Sequence, residues 1–421
     1  MQTKPPAPAT HSPPRRFRCV HGFALIALCA LWYHLGHQAR KGFTGPPPGA
    51  LTDGSKLDLV FALDCTGSMG AYIDAAKDNV EAIVTRLVST SGQKYDLRFG
   101  LVAYRDHPPE ESSFVTTSFP FTQQPRAMRG VLAKLRARGG GDAPEAVAAA
   151  LQAALDAEWR ADATKVVILI GDQPPHGLAG GRGDRWPNGE PTGVDPFAVL
   201  DQLAQKGITI YSVVPGQDPH AMAFFGAAAQ RTHGQAVHMA SASSLADVVV
   251  GASVEEMDLE RLLPDMGKLA AEVRAAAAAN GRSASEAEVQ RTVIKRLRAS
   301  GATSRRTVIH AKLPEELVSI AKGAASITDA QAAYKNAEAL HSHAAIARTT
   351  AHSAMLRSRG RRGGPRMRMA DSASGGGAAV AAASSAAAPL RLPEVELKAE
   401  EALTEEAASR VYRRGRAKGA F

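Results

Sequence analysis

Two stretches of this chain, Leu57–Asp64 (LDLVFALD) and Lys165–Asp172 (KVVILIGD), are apolar at almost every position and close on an aspartate. A strand with one wet face alternates apolar and polar residues, so runs like these need cover on both faces, as in a parallel sheet. LRFGLVAYRD (97–106) and ITIYSVV (208–214) are two more such runs. Between them Ile73, Ala76, Val80, Ile83, Val84 and Leu87 recur on one helical face, and Val147, Leu151, Leu155 and Trp159 on another. Strands alternating with helices predict a doubly wound (Rossmann-like), mostly parallel α/β sheet. SSFVTTSF (112–119) is expected to add a short antiparallel edge strand.

A chain of 421 residues is too long for one ordinary core. Residues 1–18 are basic, with Lys4, Arg15, Arg16 and Arg18, and precede an apolar run, 19–35, broken by His21 and His34. As a helix that run reaches ~25 Å, near the short limit for a bilayer span. Small residues are not well placed for cleavage, which favours an uncleaved transmembrane signal-anchor over a signal peptide. Arg40 and Lys41 follow the run, fewer than the basic residues before it, so a single-pass membrane protein with its body on the extracytoplasmic side is expected. A Pro/Gly linker (36–55) leads to the central domain, 56–256. Beyond it the strand signals fade: 257–356 reads as Ala-rich helices, 357–393 as a disordered, low-complexity basic and Ala-rich linker, and 394–421 as a short helix with a basic tail.

Charge is unevenly spread. Residues 51–256 hold 17 Lys and Arg against 24 Asp and Glu, a formal −7, so the remainder carries +16 of the total +9. The negative centre argues against nucleic acid as its partner and suits a cation, while the basic ends are expected to contact anionic surfaces. Cys19, Cys29 and Cys65 make no disulfide framework, and Cys65 reads as a small buried residue.

The loop after the first run, Asp64-Cys65-Thr66-Gly67-Ser68, offers a carboxylate and two hydroxyls at alternate positions around a flexible glycine. Three readings fit it: a divalent-metal site, a phosphorylated aspartate, or a plain strand-to-helix turn with Ser68 or Thr66 as cap. Two further loops on the same rim tip the balance to metal. GGGDAPE carries Asp142, with Glu145 as a competing ligand or first-turn residue, and LIGDQPPHG carries Asp172. A hard cation such as Mg²⁺ takes about six oxygens, some from water. His107 and His176 lie in rim loops, where they could shape a partner surface, but loop histidines are mostly solvated and these are expected to be so. DCTGS also looks like the Asp-Lys-Thr-Gly-Thr loop of transport ATPases, but cysteine stands where that chemistry needs lysine.

The constellation resembles the von Willebrand factor A-type domain and its metal-ion-dependent adhesion site. LVAYRDHP, GGGDAPEAV, ILIGDQPPHG and DRWPNGEPTGVDP are similar to a subgroup found in microbial multidomain proteins and beside alpha-kinases. The resemblance covers residues 57–250 and implies metal ligation by Asp64, Thr66, Ser68, Asp142 and Asp172, with Asp142 where threonine is common. It implies Mg²⁺, with Mn²⁺ or Ca²⁺ as alternatives, and a protein partner whose acidic residue completes the coordination. The chain is thus expected to be a non-catalytic, membrane-anchored interaction or adhesion protein. The rival is an enzyme, or a scaffold touching lipid or nucleic acid, that uses this domain only for targeting.

Overall fold

The computed structural model describes residues 56–90, 96–179, 183–337 and 395–421. The apolar run 19–35 and the low-complexity segment 357–393 therefore lie outside the described residues. Among those described, no helix is long and apolar enough to cross a membrane.

The runs that end in aspartate become the middle of a six-stranded sheet. Its strands are β1 (Lys56–Asp64), β2 (Asp96–Tyr104), β3 (Thr116–Thr122), β4 (Thr164–Ile170), β5 (Ile208–Val214) and β6 (Ala236–His238), ordered β3-β2-β1-β4-β5-β6. All pairings are parallel except β2 with β3, the edge strand expected from SSFVTTSF. β1 and β4 run through the centre; Leu59, Ala62, Val166 and Val167 are fully buried, as cover on both faces requires. From β1 the chain goes first to β2 on one side and later to β4 on the other. The carboxyl ends of β1 and β4 thus flank the switch point, where open α/β sheets form their crevice.

The opposite end of β1 is pinned by charge. Asp58 is fully buried and takes Arg98 (Nε 2.9 Å, Nη2 2.6 Å) and Arg160 (Nε 2.9 Å, backbone N 2.8 Å). Burial would raise the Asp58 pKa, but the hydrogen bonds from Arg98 and Arg160 outweigh it and hold the group below its ordinary 3.8. A depressed carboxylate contributes stability that is full above 3.8 and is lost as pH falls through the lower folded value. Asp58→Asn should therefore melt several degrees below the parent at pH 7, and the gap should close on acidification below about 3.8. Thermal melts across pH test this; a gap independent of pH would contradict it.

Helix α1 (Gly70–Thr90) covers one face of the sheet, and α6 (Leu245–Glu260) packs beside it. On the other face lie α3 (Val147–Leu155), α4 (Pro196–Gln205) and α5 (Pro219–Arg231); α2 (Pro125–Leu132) follows the edge strand. Proline opens both α4 and α5, with Asp195 and Asp218 capping their first amides.

The chain beyond residue 256 departs from the expected string of helices and tail. Helices α7 (Leu263–Ala279), α8 (Glu286–Ala299) and α9 (Glu315–Lys322) are present, but Thr303–Ile309 is a strand, β7, paired antiparallel with β8, Val395–Ala402. Sequence could not show this, because TSRRTVI and VELKAEEA are charged and gain their strand character from each other across a long separation. Arg305 is buried in β7 against Asp258 of α6, with Nε at 2.8 Å and Nη2 at 2.7 Å. The last helix, Glu405–Ala417, follows β8 and shares a second core with α7 and α8, built from Met266, Val293, Leu297, Val411 and Tyr412. Two of its arginines, Arg410 and Arg414, are turned inward, while Arg413 and Arg416 are exposed. Arg410 spans Glu255 (3.0 Å) and Glu256 (2.6 Å), and Arg414 pairs with Glu256, all in the interior.

Candidate metal centre

Asp64 is the last residue of β1 and is fully buried. Its Oδ1 accepts from the Thr66 amide at 2.8 Å and the Thr66 hydroxyl at 2.6 Å, while Oδ2 has no hydrogen-bond partner. Thr66 stands at the N-cap position of the following turn, Gly67–Met69, yet its side chain makes no cap bond. The hydroxyl is turned to Asp64, against the plain-turn reading for Thr66. Ser68 is exposed, and its hydroxyl is near enough to Asp172, two residues past β4, to pull that carboxyl's pKa down. Asp172 Oδ1 is buried without a partner. Four of the expected residues are therefore held on two adjacent loops at the switch point.

The glycine-rich loop is laid against the first. Cys65 and Gly67 engage it through Arg138 N–H to Cys65 O (3.0 Å) and Gly67 N–H to Gly139 O (3.2 Å). Gly140 has φ of +86°, and a Cβ there would lie 3.0 Å from Glu145 Oε1 and 3.5 Å from Thr66 Cβ, so the close approach and the backbone both ask for glycine. Beyond it, Glu145 N–H bonds Pro174 O (3.0 Å) and Ala146 N–H bonds Arg105 O (2.9 Å), which joins this loop to those after β4 and β2. Cys65 is buried; burial, with Asp64 beside it, pushes its thiol up to about 12, the condition of a packing residue.

Asp142 is on the rim and is held by a neighbouring loop. Its Oδ2 accepts from the Arg185 amide at 2.9 Å, and Oδ1 is buried and unpartnered. Its neighbours are Asp106 and His176: one ligand atom from each of the three lies within 4.8 Å of the others. Glu145, weighed above as a ligand or a first-turn residue, is buried with Oε2 unpartnered. His107 and His176 are 4% and 0% exposed, which corrects the expectation that they are solvated. Asp106 was missed, although it stands at the carboxyl end of β2 as Asp64 and Asp172 stand at those of β1 and β4.

Five carboxylates, Asp64, Asp106, Asp142, Glu145 and Asp172, thus each hold a buried oxygen that no protein donor satisfies. Leaving such oxygens dry costs about 1–3 kcal/mol apiece, more when charged. The strain appears in the proton affinities of Asp64, Asp142, Glu145 and Asp172. Burial raises Asp64 to about 7 against the pull of Thr66, with Asp172 and Asp106 adding to the rise. Burial and the same carboxylates raise Glu145 to about 10, and burial, with Asp106, raises Asp142 to about 6 against the Arg185 amide. Burial also raises Asp172, opposed by Ser68. Burial alone would lower His176, but hydrogen bonds to Asp106 and Asp184 lift it to about 9. A hard divalent cation is the ligand that such oxygens fit.

A family profile described as von Willebrand factor A domain matches residues 58–168. An alpha-protein kinase of Dictyostelium discoideum is 31% identical over 156 residues, 37% of this chain and 24% of the kinase. An ariadne-like RING finger protein of Acanthamoeba polyphaga mimivirus is 27% identical over 190 residues, 44% of this chain and 18% of that protein. The chain spans a quarter or less of the length of these curated relatives. Among solved structures, the pilus adhesin SpaC from Lactobacillus rhamnosus GG aligns over 48% of this chain and 31% of its own, at 13% identity and TM-score 0.37. Proximal thread matrix protein 1 from the mussel byssus aligns over 48% and 49%, at 15% identity and TM-score 0.32. With the sheet order, the aspartate-ended strands and the profile match in agreement, the segment that carries this site is a von Willebrand factor A domain.

Proposed function

We propose that the rim of this domain holds a divalent cation, Mg²⁺ or alternatively Mn²⁺ or Ca²⁺, and through it binds a protein partner without catalysing a reaction. The observation that supports this most is the pair of buried, unpartnered oxygens on Asp64 and Asp172, on two loops at the switch point. Asp64 Oδ2 and Asp172 Oδ1 would be the charged ligands, with the Thr66 and Ser68 hydroxyls beside them; the Thr66 hydroxyl donates one hydrogen bond to Asp64 and keeps lone pairs free. A bound cation would supply a positive centre that a partner's Asp or Glu can reach. With Asp142 turned toward Asp106 and His176, two carboxylates face the cation rather than three, and the centre keeps more attraction for an acidic residue.

The same reading places residues 19–35 in a membrane as a single-pass anchor, with the domain on the extracytoplasmic side; the basic residues ahead of the apolar run are its support. The immobilised full chain should retain a partner from a detergent extract in Mg²⁺ and release it on chelation, and Asp64→Ala should retain none. An identical set of proteins held with and without Mg²⁺, and by both chains, would overturn the proposal.

A further inference from the structure

His176 is oriented by more than its own loop. The imidazole is fully buried, with Nδ1 2.9 Å from Asp184 Oδ1 and Nε2 2.7 Å from Asp106 Oδ1. Asp184 is itself fixed: Oδ2 accepts from the Gly177 amide at 2.7 Å and Oδ1 from the Trp186 amide at 2.8 Å. Trp186 closes edge-on over the His176 ring, centroids 4.8 Å apart. Helical residues 327–337 support this loop from behind, Gln331 donating to Gly177 O (2.6 Å) and Pro187 O (2.8 Å). A carboxylate anchored by two amides keeps a proton on Nδ1, and a cation at Nε2 would take the place of the proton shared there with Asp106. Histidine ligands of metals are commonly held this way, with the far nitrogen donating to a carboxylate.

What Nε2 faces is acidic and unsatisfied. Asp106 is fully buried with Oδ2 unpartnered, and Asp142 brings its own unpartnered Oδ1. We propose that Asp106, Asp142 and His176 form a second cation site beside that of Asp64 and Asp172. The imidazole sets its class: one nitrogen and two carboxylates favour a first-row transition ion such as Mn²⁺, Co²⁺ or Zn²⁺, whereas an all-oxygen set favours Mg²⁺ or Ca²⁺. Asp184 is a positioning residue and Asp142 belongs to this site.

Co²⁺ is the probe, because its visible absorption reports a nitrogen ligand and the full chain can be titrated with Mg²⁺ held in excess. The parent should take up Co²⁺ with a visible band under those conditions. His176→Gln should abolish the band, and Asp184→Asn should weaken Co²⁺ about 10–100-fold. Should His176→Gln fail to fold, Asp184→Asn carries the test alone. Co²⁺ uptake unchanged by either variant, or absent from the parent, would overturn the second site and leave His176 as a charged bridge between two aspartates. Failure of the Mg²⁺ site instead shows in Asp64→Ala, whose Mg²⁺ uptake would then match the parent's.

Discussion

Asp64→Ala should lose saturable Mg²⁺ binding while leaving the domain folded. Removing an outer-shell partner of a metal costs roughly 10–100-fold in affinity, and removing a charged ligand should cost more. The fold should tolerate the change, since the native carboxylate is fully buried with one oxygen unpartnered and carboxylates on either side. Metal-free Asp64→Ala is therefore expected to melt no lower than the metal-free parent. With metal at about 100 times its dissociation constant the parent gains about 2.7 kcal/mol, roughly 5–10 °C for a domain of this size. The variant should gain nothing. Melting curves with Mg²⁺ and with chelator separate the two effects, and an equal Mg²⁺ shift in both chains would contradict the assignment.

Arg410→Met should destabilise the chain by about 3–5 kcal/mol, the usual cost of stripping one partner from a buried ion pair. Arg410 Nη1 lies 3.0 Å from Glu255 and Nη2 2.6 Å from Glu256, while Nε donates to His233 O at 3.0 Å and Nη2 to Tyr211 Oη at 3.1 Å. Truncation to Met leaves Glu255 and Glu256 short of charge in a site with little water. Arg410→Lys should recover only part of the loss, because one ammonium cannot serve four acceptors in a planar fork. Denaturant unfolding measures both variants. A loss within about 0.5 kcal/mol for Arg410→Met would place the last helix outside the cooperative unit.

The fold was legible where one residue type had one physical reading. Val166, Val167 and Ile168 in an unbroken apolar run could only be a strand covered on both sides, and the buried centre of the sheet follows. The rim was legible as far as the rule that ligands gather at carboxyl ends of parallel strands, which brought Asp64 and Asp172 together with Thr66 and Ser68. Spacing along GGGDAPE says that Asp142 reaches the rim; that it meets the Arg185 amide and His176 there depends on a loop more than thirty residues away. His176 and His107 were read as solvated because loop histidines usually are, and no local signal announces that Asp184, Glu190 and Trp186 fold over them. Asp106 did carry a signal, since it closes a strand run as the other two aspartates do. β7 and β8 were the least legible: Arg305 and Lys398 suit a strand only once each has found its partner.

The most direct measurement is the position of Mn²⁺ in crystals of the full chain, located by its anomalous scattering. The account predicts a peak within about 2–2.6 Å of Asp64 Oδ2 and Asp172 Oδ1, in reach of the Thr66 and Ser68 hydroxyls. That peak should vanish in Asp64→Ala. Mn²⁺ absent from this rim at saturating concentration, with Asp64 Oδ2 instead satisfied by a protein donor, would contradict the central claim.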